Sequence, residues 1–361
     1  MIHVVLMHEY APRCCTIVTV FANAYIHKLD PFAIQLTESL GLRWYGLAYI
    51  AGFFVAWIAI RWMGRNKITQ IQPSRVGDFM FACVLGVLLG GRIGYCLFYD
   101  PSMFVTFTHE LPWWKLLAIQ DGGMASHGGI IGVVVSMIIW GRKNNISVLH
   151  LFDISALFAT PGLFFGRVAN FINGELWGKQ LPEPLQTSAP WWSVKYPTEI
   201  TEVWGVYPEQ FKEQLQTLEP LKTQLLAGNN FYHTVVQEAY GGNQLVIDII
   251  QPSLTAWYPS QLFQAIAEGP LLFVALFVLW WNPRKPGVIA GWFLIVYGIL
   301  RIMTEVFRQP DQGVVLLLGL SRGQVLSVGM ILCGALLAYI SAKRSTVKIG
   351  GFSVVCTKKT T

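Results

Sequence analysis

Seven stretches of this chain are apolar for close to the length of a membrane-spanning helix: residues 44–62, 79–99, 124–141, 151–172, 262–281, 288–307 and 322–342. Crossing the hydrocarbon core of a bilayer takes about 20 mostly apolar residues, and a helix satisfies its own backbone there. The pattern therefore predicts an all-α integral membrane protein of about seven transmembrane helices. Composition agrees: 53% of residues are hydrophobic and 13% charged, whereas soluble domains carry about 25% charge. The net charge of +6 is no nucleic-acid footprint, because the basic residues collect in short loops between apolar runs.

Those loops orient the chain. The 62–78 connection holds Arg65, Lys67 and Arg75, the next holds Arg142 and Lys143, and the short 282–287 connection holds Arg284 and Lys285. Lys343, Arg344, Lys348, Lys358 and Lys359 follow the last span, while 100–123 contains Lys115 alone. Positive loops stay in the cytoplasm, which predicts an outside N-terminus and an inside C-terminus.

The expected organisation is an N-terminal extension (1–40), helices one to four (41–172), a small external domain (173–261), helices five to seven (262–342) and a cytoplasmic tail (343–361). The external segment carries Pro182, Pro184, Pro190, Pro197 and the Trp191–Trp192 pair, and is too polar for lipid. Trp113 and Trp114 suit an interfacial belt. Arg13, a short apolar run and Ala22-Asn23-Ala24 imitate a signal peptide; the extension is read as interfacial or dispensable. Cysteines 14, 15, 83, 96, 333 and 356 form no C-x-x-C pair, so neither a disulfide framework nor a metal site is expected.

Polar residues inside the spans fall at one depth. Arg92 lies late in the second span, Arg167 and Asn170 late in the fourth, and Arg301 and Glu305 late in the sixth, all outward-going. Asn173 and Glu175 follow the fourth span, His127 opens the third from outside and Tyr45 opens the first. Tyr297, Arg301 and Glu305 repeat every four residues, with Arg308 seven beyond Arg301, so one helical stripe is expected to carry all four. Intramembrane ionisable groups face a bundle interior or a wet cavity, and the stripes of spans four and six are expected to meet. Gly90, Gly91, Gly94, Gly128, Gly129 and Gly166 flank these sites; they permit close helix packing, close approach of a ligand, or both.

Each polar residue also has a plainer use. Arg301–Glu305 is a possible neutralising ion pair, Arg92 can snorkel, and His127 can be a satisfied interior histidine. Taken together, the arginines outnumber Glu175 and Glu305, which points to an anion at outer-leaflet depth: a phospholipid head group gripped by Arg forks. A neutral histidine nearby would accept a proton from a nucleophile near pH 7. The competing class is an anion channel or transporter with an arginine-lined outer vestibule. It predicts polar residues continuing inward, where the spans read as nearly bare. A purely structural scaffold is the third reading.

The blocks "RWYGL" (43–47), "GGRIGYCLFY" (90–99), "DGGMASHGGIIG" (121–132), "GRVANFINGELWG" (166–178), "PSQL" (259–262) and "YGILRIMTEVFRQPD" (297–311) resemble the bacterial prolipoprotein diacylglyceryl transferase family, in family order. The resemblance implies a seven-helix enzyme of the bacterial inner membrane. Such an enzyme moves the diacylglyceryl group of phosphatidylglycerol to the lipobox cysteine of a prolipoprotein signal peptide, releasing glycerol 1-phosphate. It implies functional roles for Tyr45, His127, Arg167, Asn170, Glu175, Gly178, Tyr297, Arg301 and Glu305, and no cofactor. Arg167 and Arg301 would hold phosphate and His127 would deprotonate the thiol. Tyr45, Arg92, Asn170, Glu175, Gly178, Tyr297, Glu305 and Arg308 would bind or shape the substrate. Where the family continues PSQL with Tyr-Glu, this chain has Phe263-Gln264, which offers neither that hydroxyl nor that carboxylate.

Overall fold

In a computed structural model, residues 24–30, 32–35, 41–109, 111–119, 122–202, 231–309 and 320–353 are described. The signal-like run, Cys14, Cys15, Cys356, the middle of the 173–261 segment and the end of the tail lie outside them. The chain divides into two compact units. One comprises Tyr45–Arg167, Gln264–Glu305 and Asp311–Thr361; the other comprises Met1–Trp44, Val168–Phe263 and Val306–Pro310.

The first unit is helical. Its long elements are α1 (Trp44–Arg65), α2 (Val76–Phe98), α3 (Ser126–Lys143) and α4 (Val148–Ile172). The described chain is helical and multi-pass: six helices are long and apolar enough to cross a membrane. The seventh expected span is α3, which forms a helix but carries Ser126-His127 at one end and Arg142-Lys143 at the other, and is not among the six.

Glycine sets the pairing of α2 and α3. A Cβ on Gly86 would stand 2.6 Å from Gly132 O, and one on Gly90 would collide with Gly128 O. Small residues at four-residue spacing let helix backbones touch where lipid supplies no hydrophobic drive. The packing reading of Gly90, Gly94 and Gly128 is thus the observed one, while a Cβ on Gly166 would meet nothing within 4 Å.

Pro161 sits inside α4 and deletes the hydrogen bond to Leu157 O. The Thr160 hydroxyl donates to that carbonyl at 2.8 Å, so the helix continues without an orphaned group.

The second unit carries α5 (Glu183–Gln186), α6 (Glu199–Glu202), α7 (Phe231–Tyr240) and α8 (Gln244–Ile250). Strand β1 (Tyr25–Ile26) pairs in parallel with β4 (Val194–Lys195), while β2 (Phe32–Gln35) pairs antiparallel with β3 (Gly41–Arg43). Its core is Ile200, Val235, Val236, Ala239, Val246, Ile247, Ile250 and Leu254. Beside it Trp177 stacks on Tyr196, ring centroids 4.6 Å apart. His27, fully buried, lies 2.7 Å through Nε2 from Phe171 O. A carbonyl only accepts, so Nε2 carries the proton and Nδ1 accepts from the Tyr240 hydroxyl at 3.2 Å.

The remaining long helices are α9 (Ser260–Leu279), α10 (Val288–Glu305) and α11 (Arg322–Lys343). Residues Ala267–Leu271 of α9 form a π turn containing Pro270. Because α10 ends at Glu305, Arg308 leaves the expected stripe; it pairs as an extended bridge with Gly178.

Candidate active site

Four elements of the first unit build one polar cluster, three of them supplying its ionisable side chains. Arg167 comes from α4, Glu268 from the π turn of α9, and Tyr297, Arg301 and Glu305 from successive turns of α10. The fourth element is α11, whose N-cap is Ser321. Arg167 donates from Nε to Glu268 Oε2 at 2.9 Å and from Nη2 to Oε1 at 3.3 Å. Arg301 Nη1 lies 3.5 Å from the same Oε1, and its Nη2 lies 3.3 Å from Glu305 Oε2. The Tyr297 hydroxyl neighbours Arg167. The stripes of spans four and six therefore do meet, through a third helix.

Glu268 is fully buried and was absent from the sequence reading. Its presence corrects the count of charges: two arginines face two carboxylates, so the cluster itself is balanced. A buried ion pair is held by geometry rather than by net gain, and deleting one partner costs about 3–5 kcal/mol. π turns recur at functional sites because the extra residue redirects a side chain. Here the sequence signal was Pro270 two residues beyond a lone glutamate in an apolar run. Gly269 allows the approach, since a Cβ there would come within 2.6 Å of Phe164 Cβ. The PSQL departure also finds its place: Gln264 is buried one turn before Glu268, and its Nε2 has no hydrogen-bond partner among the described residues.

The two arginines are not equivalent. Glu268 grips Arg167 side-on by two hydrogen bonds. Among the described residues Arg301 Nη1 makes only the 3.5 Å ion-pair contact and no hydrogen bond, although it is buried. Arg301 thus keeps an N–H for a further acceptor. Glu305 is fixed from the other side, accepting from the Ser321 hydroxyl at 3.0 Å. Gly323 makes room for that carboxylate: a Cβ there would stand 2.8 Å from Glu305 Oε1.

Arg92 has a different job from the substrate contact expected of it. The residue is 4% exposed, and its guanidinium donates to the carbonyls of Lys115, Leu116, Ala118, Gly122 and Gly123. Arginine has five N–H groups, and all five are used, leaving none for a phosphate. The side chain organises the loop that leads to α3. Gly122 and Gly123 adopt φ of +84° and +79°, which other residues rarely tolerate.

His127, at the start of α3, is exposed and makes no hydrogen bond or ion pair among the described residues. Tyr45 is half-buried in the first turn of α1. His127 carries no described contact with Arg167, Glu268 or Arg301.

The remaining candidates belong to the second unit: Asn170 in the last turn of α4, Glu175 and Gly178 after it, and Arg308 after α10. Glu175 N donates to Asn170 O at 3.0 Å and Asn173 Nδ2 to Glu175 Oε1 at 3.4 Å. The Trp177 indole closes the turn on Gly174 O at 2.6 Å, and Glu175 itself is exposed. Gly178 is squeezed by backbone: a Cβ would clash with Tyr258 O and approach Phe307 O to 2.8 Å. Only glycine fits there, and the bridge to Arg308 depends on it.

The spans are also less bare at their other ends than the sequence reading held. Asp153 and His150 are buried in the first turns of α4. Asp153 spends both oxygens on the N–H groups of Gly287 and Ala290, and His150 accepts at Nε2 from Gln70 N at 3.3 Å, with Thr69 Oγ1 3.0 Å away. Asp153 is occupied by the backbone at the start of α10 and His150 by that of Gln70, so neither extends a polar path from the arginine cluster.

Residues 31–340 match the family model for prolipoprotein diacylglyceryl transferase. The chain belongs to the prolipoprotein diacylglyceryl transferase family. It is 40% identical over 343 residues to the phosphatidylglycerol--prolipoprotein diacylglyceryl transferase of Bdellovibrio bacteriovorus, covering 91% of this chain and 97% of that one. Its identity to the protein of the same name from Xylella fastidiosa strain M23 is 33%, over 88% and 95% of the two chains. To that of Yersinia pestis strain Pestoides F it is 34%, over 91% and 99%. Family membership sets aside the channel reading, and the ion pairing of both arginines with Glu268 removes the free arginine ring that reading needed.

Proposed function

We propose that this protein transfers the diacylglyceryl group of phosphatidylglycerol to the lipobox cysteine of prolipoproteins. The observation that carries the reading is the Arg167–Glu268–Arg301 cluster, a pair of permanent cations oriented around one buried carboxylate in a member of this family. The cysteine sulfur, as thiolate, attacks the glyceryl carbon bonded to the phosphate oxygen. A C–S thioether forms, the C–O bond breaks, and its electron pair leaves with glycerol 1-phosphate. Charge grows on the departing phosphate, and Arg301, with an uncommitted N–H, receives it while Glu268 holds Arg167 in place. His127 takes the thiol proton; Tyr45, Asn170, Glu175, Tyr297 and Glu305 shape the head-group site. No metal or other cofactor enters the step, because a phosphate ester is already a leaving group once its charge is stabilised.

The protein is a seven-span enzyme of the bacterial inner membrane in this reading, α3 completing the six more apolar helices by pairing with α2. Its N-terminus and the 173–261 segment lie outside, and the 343–361 tail lies in the cytoplasm. The N-terminal extension, expected to be interfacial or dispensable, instead contributes Tyr25–Ile26 and the buried His27 to the second unit. A reporter active only after export would work when fused after residue 190 and fail after residue 350; the opposite pattern would reverse the orientation. The decisive experiment is incubation of purified protein with phosphatidylglycerol and a lipobox peptide, followed by mass analysis. A diacylglyceryl adduct on cysteine with stoichiometric glycerol phosphate is expected. An unmodified peptide, with anion flux through reconstituted vesicles, would reject the reading.

A further inference from the structure

α4 and α10 are tied by polar side chains at two levels. At one level Asp153 of α4 accepts the Gly287 N–H through Oδ2 and the Ala290 N–H through Oδ1, both at 2.8 Å. At the other, Arg167 of α4 and Arg301 of α10 converge on Glu268. Fourteen residues separate Asp153 from Arg167, and fourteen separate Gly287 from Arg301. At 1.5 Å per residue both intervals measure about 21 Å, so the two helices run parallel and in step between the ties.

The first N–H groups of a helix have no partner of their own and need an acceptor. Lys285-Pro286-Gly287 offers no Ser, Thr, Asp or Asn at the start of α10. Asp153 supplies the acceptor from a different helix, with the added preference of a carboxylate for a helix N-terminus. It is 2% exposed, so water cannot take its place.

The interval between the ties is apolar. Ile154 and Leu157 of α4, Leu272 and Leu276 of α9, and Ile289, Phe293 and Val296 of α10 belong to one core cluster. Such contacts are non-directional and would survive a slip of one helical turn, about 5.4 Å. That slip would separate the two guanidinium groups from their shared carboxylate.

We infer that Asp153 is a positioning residue that sets the register of α4 against α10, and so places Arg167 level with Arg301 some 21 Å away. The inference rests on the arginine clamp proposed above. It assigns Asp153 no contact with substrate.

The test combines a double-mutant cycle with a distance measurement. Residues this far apart are normally additive. Asp153→Asn keeps the size but presents an amide N–H to one backbone N–H. It is expected to lower the turnover of folded enzyme on phosphatidylglycerol and a lipobox peptide by about 10- to 100-fold, as for other small misplacements of catalytic groups. In an Arg301→Lys background the same change is expected to cost less than about threefold, since the alignment it protects is already lost.

In parallel, spin labels at Ala159 and Ile299, both exposed on their helices, read the register directly in a cysteine-depleted protein. Asp153→Asn should shift or broaden that distance by up to about 5 Å. Equal fold-losses in both backgrounds with an unmoved distance would reduce Asp153 to a stabilising cap and overturn the inference. If Asp153→Asn fails to accumulate, Asp153→Glu keeps the carboxylate on a longer arm and must show the same non-additivity. Should Arg301→Lys itself transfer at the wild-type rate, the clamp is wrong, and the spin-label distance alone decides whether Asp153 sets register.

Discussion

Glu268 holds Arg167 by two hydrogen bonds and stands 3.5 Å from Arg301, so one buried carboxylate orients both cations of the cluster. Glu268→Gln keeps the shape and removes the charge. Arg167 then loses its charge-assisted fork and two positive groups share a site with Glu305 alone. Transfer by folded enzyme should fall by about 10- to 1,000-fold, the range for loss of one oriented electrostatic contact, with partial recovery in Glu268→Asp. Wild-type turnover in the glutamine variant would show that the arginines need no such anchor.

Lysine should replace neither arginine. It presents a point charge where a planar fork is used. At position 167 the two bonds to Glu268 become one, and at position 301 the contacts to Glu268 and Glu305 can no longer be made together. Purified Arg167→Lys and Arg301→Lys are expected to lose most thioether formation, with a matching loss of released glycerol phosphate. Diacylglycerol lacking phosphate should be inert with wild-type enzyme; comparable turnover of that neutral lipid would refute a phosphate clamp.

His127 is exposed and without a described partner, as suits a group that meets an incoming peptide rather than one that ties helices together. His127→Gln should insert normally and transfer about 100- to 10,000-fold more slowly, the usual contribution of a positioned base. A chemically pre-ionised, low-pKa thiol in the peptide should recover part of the loss. Near-normal transfer would remove His127 from the chemistry.

His27 gives the second unit a pH dependence of its own. Burial pushes its pKa down from 6.5 to about 4, against a smaller opposing pull from Phe171 O. The neutral ring is the folded form, so its contribution is complete above the unfolded pKa near 6.5. It is lost as pH falls from there toward 4, because the unfolded chain binds the proton first. The window corresponds to on the order of 3 kcal/mol. Fluorescence of Trp257, buried beside the half-buried Trp177, followed in detergent between pH 7 and 4.5, should report loosening that His27→Phe no longer shows over the same range. An identical pH profile in that variant would assign the effect elsewhere.

The helical, membrane-spanning character of the chain was legible in the sequence because hydrocarbon imposes one rule on every residue of a span: apolar side chains over some 20 positions. The matching positions of Arg167, Arg301 and Glu305 along their helices were legible too, since residue number along a helix converts directly to distance. The α10 stripe held as far as Glu305, where the helix stops and Arg308 turns away into its bridge with Gly178.

What height alone leaves open is which side chains meet. Glu268 looked like one stray carboxylate in an apolar run, and only the π turn around Pro270 brought it between two arginines from different helices. Arg92 had the right depth and the right chemistry for phosphate, yet a loop 23 to 31 residues away consumed all of its donors. Asp153 reads as an isolated buried charge until the start of α10 arrives beside it. Local sequence determined what each helix is and where along it each polar group lies, because those follow from nearest neighbours and the helical rise. The pairing of charges was decided by tertiary structure, because it depends on rotations and bulges that bring together residues more than a hundred positions apart.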